Sequence, residues 1–204
     1  HSQALNNIGI IFKALKENQK AKDCYEKIIE INPNNADAHN NLGIIFRELG
    51  EKKIAKECYE KAIKINPIYS HAHNNLGIVF KDLGENENAI SCYEKAIVIN
   101  PNYADAHNNL GNIFNKLGDN QKAKDCFIKA IEINPNNADS HYNLGNVFVA
   151  LAKNQKAIDC YEKAIKINPN HANAHHNLGI IFNSLRETQK AKNCYEKAIK
   201  IDPN

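Results

Sequence analysis

Apolar residues in this chain recur at helical spacing in short runs, and the runs themselves recur. Between Ala104 and Asn137, the residues Ala106, Leu110, Ile113, Phe114 and Leu117 mark one face of a helix. Gly118 follows, a residue that tolerates the left-handed backbone of a helix stop. A second run, Ala123, Cys126, Phe127, Ala130, Ile131 and Ile133, has the same spacing. Asn134-Pro135 closes it, because the residue before a proline is driven out of helical geometry. The pattern predicts two helices of about a dozen residues each, joined by a short turn. Asp37, Asp105 and Asp139 fall in first turns, where the helix dipole favours negative charge.

This helical pair fills the chain. Each of the six prolines, Pro33 to Pro203, lies thirty-four residues after the last, and so does each of the six cysteines, Cys24 to Cys194. The repeats run 2–35, 36–69, 70–103, 104–137, 138–171 and 172–204. A fixed period of this length predicts one stacked array over 1–204 rather than a closed core. Gly9, Gly43, Gly77, Gly111, Gly145 and Gly179 lie mid-helix, at about 1 kcal/mol each against alanine. That penalty predicts close approach by the partner helix, with Ala21, Ala55, Ala89, Ala123, Ala157 and Ala191 as the expected counterparts. Phe12 and its equivalents, facing Tyr25 and its equivalents, are the expected core fillers.

Leu-Gly-x-x-Phe, then Ala-x-x-x-Tyr-x-x-Ala-Ile, then Asn-Pro resembles the tetratricopeptide repeat, and the resemblance spans all 204 residues. It implies an all-α fold, a right-handed α-solenoid (superhelix) of six helix-turn-helix repeats with a concave groove. The sequence departs from the family at its fourth position, where a large aromatic gives way to Leu5, His39, His73, His107, His141 and His175. Lys16, Ala152 and Arg186 also stand where Gly50, Gly84 and Gly118 close the other turns, so those three turns are expected to be slightly strained or differently shaped.

A net charge of +3 with no Lys/Arg run argues against nucleic acid as a partner. No apolar stretch is long enough to span a bilayer, and no signal-peptide pattern opens the chain. With no Met and with ends at repeat boundaries, the chain reads as a portion of something longer. If on the order of 300 Å² of apolar surface were bare beside Cys194, Tyr195, Ala198 and Ile199, about 7 kcal/mol of burial would be forgone. End-to-end self-association is therefore expected.

The Cys and His ladders do not predict chemistry. Equivalent residues of stacked repeats lie about one helix diameter apart, ~8–10 Å, beyond the ~7 Å that a disulfide allows. The thiols read as half-buried packing groups in a reducing, intracellular (cytoplasmic or nuclear) setting, and the His rings as fillers of the aromatic slot. His171, His175 and His176 are close in sequence, but the first falls in a turn. No phosphate-cradling loop, nucleophile elbow or localised carboxylate pair is present, so no catalytic residue, metal or cofactor is expected. On the second helices, Glu60–Lys64, Glu162–Lys166 and Glu196–Lys200 are candidate i,i+4 pairs on a solvated convex face.

One ladder has the chemistry of recognition. Asn7, Asn41, Asn75, Asn109, Asn143 and Asn177 precede the Leu/Ile-Gly of every repeat. The resemblance implies that this position lines the groove, and the row is similar to that of the superhelical repeat domain of O-GlcNAc transferase, which holds extended peptides. A carboxamide offers two donors and an acceptor, so it can grip both polar groups of a bound backbone. Asn40, Asn74 and Asn108 accompany the row, while Lys13, Arg47 and Lys81 would favour acidic ligand segments at the first three repeats. The carboxylate clamp that holds chaperone C-terminal tails is absent: its two groove rows contain no Lys, and no Arg replaces Asn in the ladder. The expected function is protein–protein interaction with extended or disordered segments, as the substrate arm of a larger glycosyltransferase. A self-assembling scaffold is the alternative.

Overall fold

The computed structural model describes residues 1–203. They form twelve helices: α1 (Ser2–Ala14), α2 (Asn18–Ile31), α3 (Ala36–Glu48), α4 (Lys52–Ile65), α5 (Ser70–Asp82), α6 (Asn86–Ile99), α7 (Ala104–Lys116), α8 (Asn120–Ile133), α9 (Ala138–Ala150), α10 (Asn154–Ile167), α11 (Ala172–Ser184) and α12 (Thr188–Ile201). The odd-numbered helices begin at the first residue of each sequence repeat, or at Ser2 in the first. Two compact units divide the chain, residues 1–101 and 102–204. In the first, α1–α2, α3–α4 and α5–α6 are hairpins, with α2 packed on α3 and α4 on α5. In the second, α7–α8, α9–α10 and α11–α12 pair likewise, with α8 on α9 and α10 on α11.

Each hairpin turns on one residue with positive φ. Gly50, Gly84 and Gly118 adopt φ of 80–82°, and Lys16, Ala152 and Arg186 adopt 59°, 55° and 63°. The closure is the same in both sets. Glu51 N–H donates to the Phe46 carbonyl at 2.8 Å, and Lys153 N–H to the Phe148 carbonyl at 2.8 Å. So the three non-glycine turns keep the shape of the others and carry the strain that a Cβ causes in left-handed backbone.

The mid-helix glycines are closely approached, and the atoms nearest a Cβ added there belong to the aromatic of the second helix. A Cβ added to Gly43, Gly77 or Gly145 would lie 2.7, 2.6 and 2.5 Å from the ring carbons of Tyr59, Tyr93 and Tyr161. The aromatic of the second helix packs on the glycine, and the alanines expected as its counterparts are buried, Ala55 and Ala89 at 0% exposure. The Phe rings are buried or half-buried, each with a Lys ammonium 4.9–5.7 Å from its centroid. Lys20, Lys122, Lys156 and Lys190 cover the Phe of their own repeat, while Lys22 and Lys56 cover Phe46 and Phe80 of the next.

One further expectation is corrected. Glu60 and Glu196 pair backwards with Lys56 and Lys192, at 3.9 and 3.7 Å, and not forwards with Lys64 and Lys200. The forward lysines are thereby left to other work. At the C-terminal hairpin, Ala198 is buried at 8%, while Ile199 is 63% exposed and Cys194 and Tyr195 are half-buried.

Candidate functional site

The first helix of each repeat sets the Asn row by its spacing, one carboxamide per repeat beside the glycine that seats on the partner tyrosine. Asn41, Asn75, Asn109, Asn143 and Asn177 are half-buried, and Asn7 is exposed. The row does not present both of its donors. Asn75 Nδ2 donates to Asn40 Oδ1 at 3.0 Å, with longer versions from Asn41 to Asn6 and from Asn143 to Asn108, both 3.5 Å. Asn177 Nδ2 reaches Asn146 Oδ1 at 3.0 Å and the Tyr142 hydroxyl at 3.3 Å. Each of these carboxamides is tied to the preceding repeat, which fixes its orientation and removes one donor.

That tie reassigns its neighbours. Asn40 and Asn74 are 4% exposed, too deep to meet a ligand, and Asn40 serves as an acceptor for the row. Asn108 accepts from the Ser140 hydroxyl at 3.1 Å as well as from Asn143. Sequence spacing put these residues beside the row, and helix packing turned them under it. Of the cations, Lys13 lies 4.0 Å from Glu48 and Lys81 3.8 Å from Asp82, so two of the three positive charges have a carboxylate beside them. Arg47 is half-buried.

In the second unit, two members of the row Ile10, Ile44, Ile78, Asn112, Asn146 and Ile180, which the spacing offers as groove pockets, help to line a cavity. Asn146, Val149, Tyr161, Asn177, Ile180 and Ile181 line a cavity of about 250 Å³. Tyr161 donates its hydroxyl proton to Asn146 Oδ1 at 2.7 Å. The same hydroxyl in the first unit, on Tyr59 and Tyr93, is buried with no hydrogen-bond partner among the described residues, because Ile44 and Ile78 stand where Asn146 stands. The sequence signal was the row of Ile10, Ile44, Ile78 and Ile180 broken at Asn146. Asn112 breaks it too, opposite Phe127, so the signal carried no pairing rule.

The His ladder has a structural use. His39, His73, His141 and His175 each place Nε2 3.0–3.1 Å from the carbonyl of the proline six residues earlier, donating to it and clamping the inter-repeat turn. His171 caps α11, its Nδ1 accepting from Ala174 N–H at 3.2 Å, with its ring 4.7 Å from that of Tyr142. Among the described residues no group of three or more His, Cys, Asp or Glu side chains is disposed to hold a metal ion. No helix there is long and apolar enough to cross a membrane. The cysteines are free thiols; burial pushes Cys58, Cys92 and Cys160 up to about 11.

Stacked two-helix repeats with a recurrent polar row define a helical-repeat interaction protein. The tetratricopeptide repeat family matches residues 2–35, 36–69, 104–137, 138–171 and 172–204, with further repeat matches over 58–91 and 79–118. The chain belongs to that family. Among solved structures it resembles MamA (28% identity, TM-score 0.71, covering 79% of this chain and 95% of that one). It also resembles YrrB, described as a TPR protein with an unusual peptide-binding site (24%, TM-score 0.70, 88% and 93%). PilF of Pseudomonas aeruginosa shares the fold over the full chain (20%, TM-score 0.91, 100% and 92%). No curated protein matches.

Proposed function

We propose that the chain is a binding module that holds extended protein segments along its Asn row, Asn7, Asn41 and Asn75 in the first unit and Asn109, Asn143 and Asn177 in the second, and that it catalyses no reaction itself. The observation that carries this reading is the inter-repeat tie. With one N–H of Asn75 held by Asn40 at 3.0 Å, the carboxamide is fixed before a ligand arrives, leaving its oxygen and second N–H for a backbone. Preorganisation matters because the arithmetic is tight. Ordering three ligand residues per repeat opposes binding by roughly 3–6 kcal/mol, while two hydrogen bonds return about 1–3 kcal/mol. Side-chain pockets such as that beside Asn146 and Ile180 supply the balance. Free thiols throughout fit an intracellular setting.

The test is selection of binders from a random peptide library, followed by Asn75→Ala with Asn109→Ala. Loss of binding with helical content intact is expected; undiminished binding sinks the reading. The narrower role as the arm of a larger glycosyltransferase rests on the resemblance of the row and is tested by sequencing beyond Asn204 in the parent transcript. A second reading, end-to-end association, is favoured by α1. Ile8 and Ile11 are 43% and 56% exposed, against 7% and 0% at the equivalent Leu42 and Ile45. Sedimentation at rising concentration tests it, and Ile11→Glu should hold the chain monomeric.

A further inference from the structure

Away from the Asn row, two clefts repeat residue for residue. One is lined by Ile29, Pro33, Asn34, His39, Lys61, Lys64 and Ile65, in about 700 Å³. The other, four repeats on in the second unit, has about 650 Å³ and the same seven residue types, from Ile165, Pro169 and His175 to Lys197, Lys200 and Ile201. Each lies between the second helices of consecutive repeats, α2 and α4 or α10 and α12, with the proline turn and the buried His as its floor. A third, at Ile63, Pro67, His73 and Ile99, replaces the second lysine with Val98 and brings in Glu94.

The chemistry of the walls selects an occupant. His39 Nε2 already bonds the Pro33 carbonyl, and His175 the Pro169 carbonyl, so the floor offers Ile and Pro carbon. Charge comes only from the lysines. Lys61 and Lys64, three residues apart, share a face of α4, as do Lys197 and Lys200 on α12. Glu60 and Glu196, their nearest expected partners, are turned to Lys56 and Lys192. No carboxylate among the described residues pairs with any of the four ammonium groups, and none lines either cleft. Countering the dipole at the helix end does not require the second lysine, since α6 ends as well with Val98 at that position.

We infer that these two clefts are docking sites for an acidic, aliphatic peptide segment of a partner protein, with its aliphatic side chains on the Ile/Pro floor and its carboxylates on the paired lysines. This site is separate from the Asn row and does not depend on it.

The experiment uses the full chain and a fluorescein-labelled peptide alternating Glu and Leu, with a Gln-for-Glu counterpart, followed by anisotropy and amide chemical shifts. Saturable binding of the Glu peptide over the Gln peptide is expected, weakening with salt. Its shifts should fall at Ile29, His39 and Ile65 and at Ile165, His175 and Ile201. Lys64→Val with Lys200→Val, a change that the repeat around Val98 already accommodates, should weaken binding about two- to fivefold at each cleft. Val98→Lys should bring the shifts to Ile63, His73 and Ile99. Equal binding of the Gln peptide, shifts confined to the Asn row, or indifference to all three substitutions overturns the proposal. So does binding to phosphatidylserine vesicles in place of the peptide.

Discussion

Lys16, Ala152 and Arg186 adopt the left-handed backbone that Gly50, Gly84 and Gly118 adopt without steric penalty. A side chain there is disfavoured by about 1–2 kcal/mol. Ala152→Gly and Arg186→Gly should each therefore raise stability by about 1 kcal/mol, read as a shift in urea midpoint. The buried tyrosines make a sharper pair. Tyr161 has Asn146 as partner, while Tyr93 has none among the described residues. Tyr161→Phe should lower stability by about 1 kcal/mol, and Tyr93→Phe should be neutral or stabilising. The fourth repeat already carries Phe127 at this position, 0% exposed. The thiols add a pH effect. Cys58, Cys92 and Cys160 are held protonated by burial, from 9.0 up to about 11. Their contribution to stability is full below pH 9 and is lost as pH rises towards 11. Alkylation by iodoacetamide at pH 8 should be slow at these three cysteines until urea unfolds the chain.

At the scale of the element, the hairpin is a glycine seated on an aromatic ring. A Cβ at Gly77 would lie 2.6 Å from Tyr93 Cε1, and the ring, wholly buried, has nowhere to go. Gly77→Ala should destabilise by about 1–3 kcal/mol through overpacking, although alanine favours helix. An unchanged thermal midpoint would count against this packing. Spacing told of close approach at the glycines but did not single out the aromatic ring as what a Cβ would meet there. Two helical faces of similar period offer several residues, and only their rotation about the helix axes selects which side chain lies over the glycine's missing Cβ. The same rotation turned Asn40 and Asn74 inward beneath the row.

Across the described residues, a thirty-four-residue period produced six helical hairpins, with the first helices of the second to sixth starting at Ala36, Ser70, Ala104, Ala138 and Ala172. Proline and glycine made this legible, because both act through local backbone restriction that needs no distant partner. The sequence by itself determined the helices, their ends, the turns and the family, since each depends on residues within one repeat. What only the tertiary structure decided is how carboxamides, histidines and lysines are used. Asn75 bonds Asn40 thirty-five residues away, and Lys61 faces His39 across a cleft. Contacts of that kind form between faces of neighbouring helices, and a period read along one chain carries no record of the angle at which those faces meet.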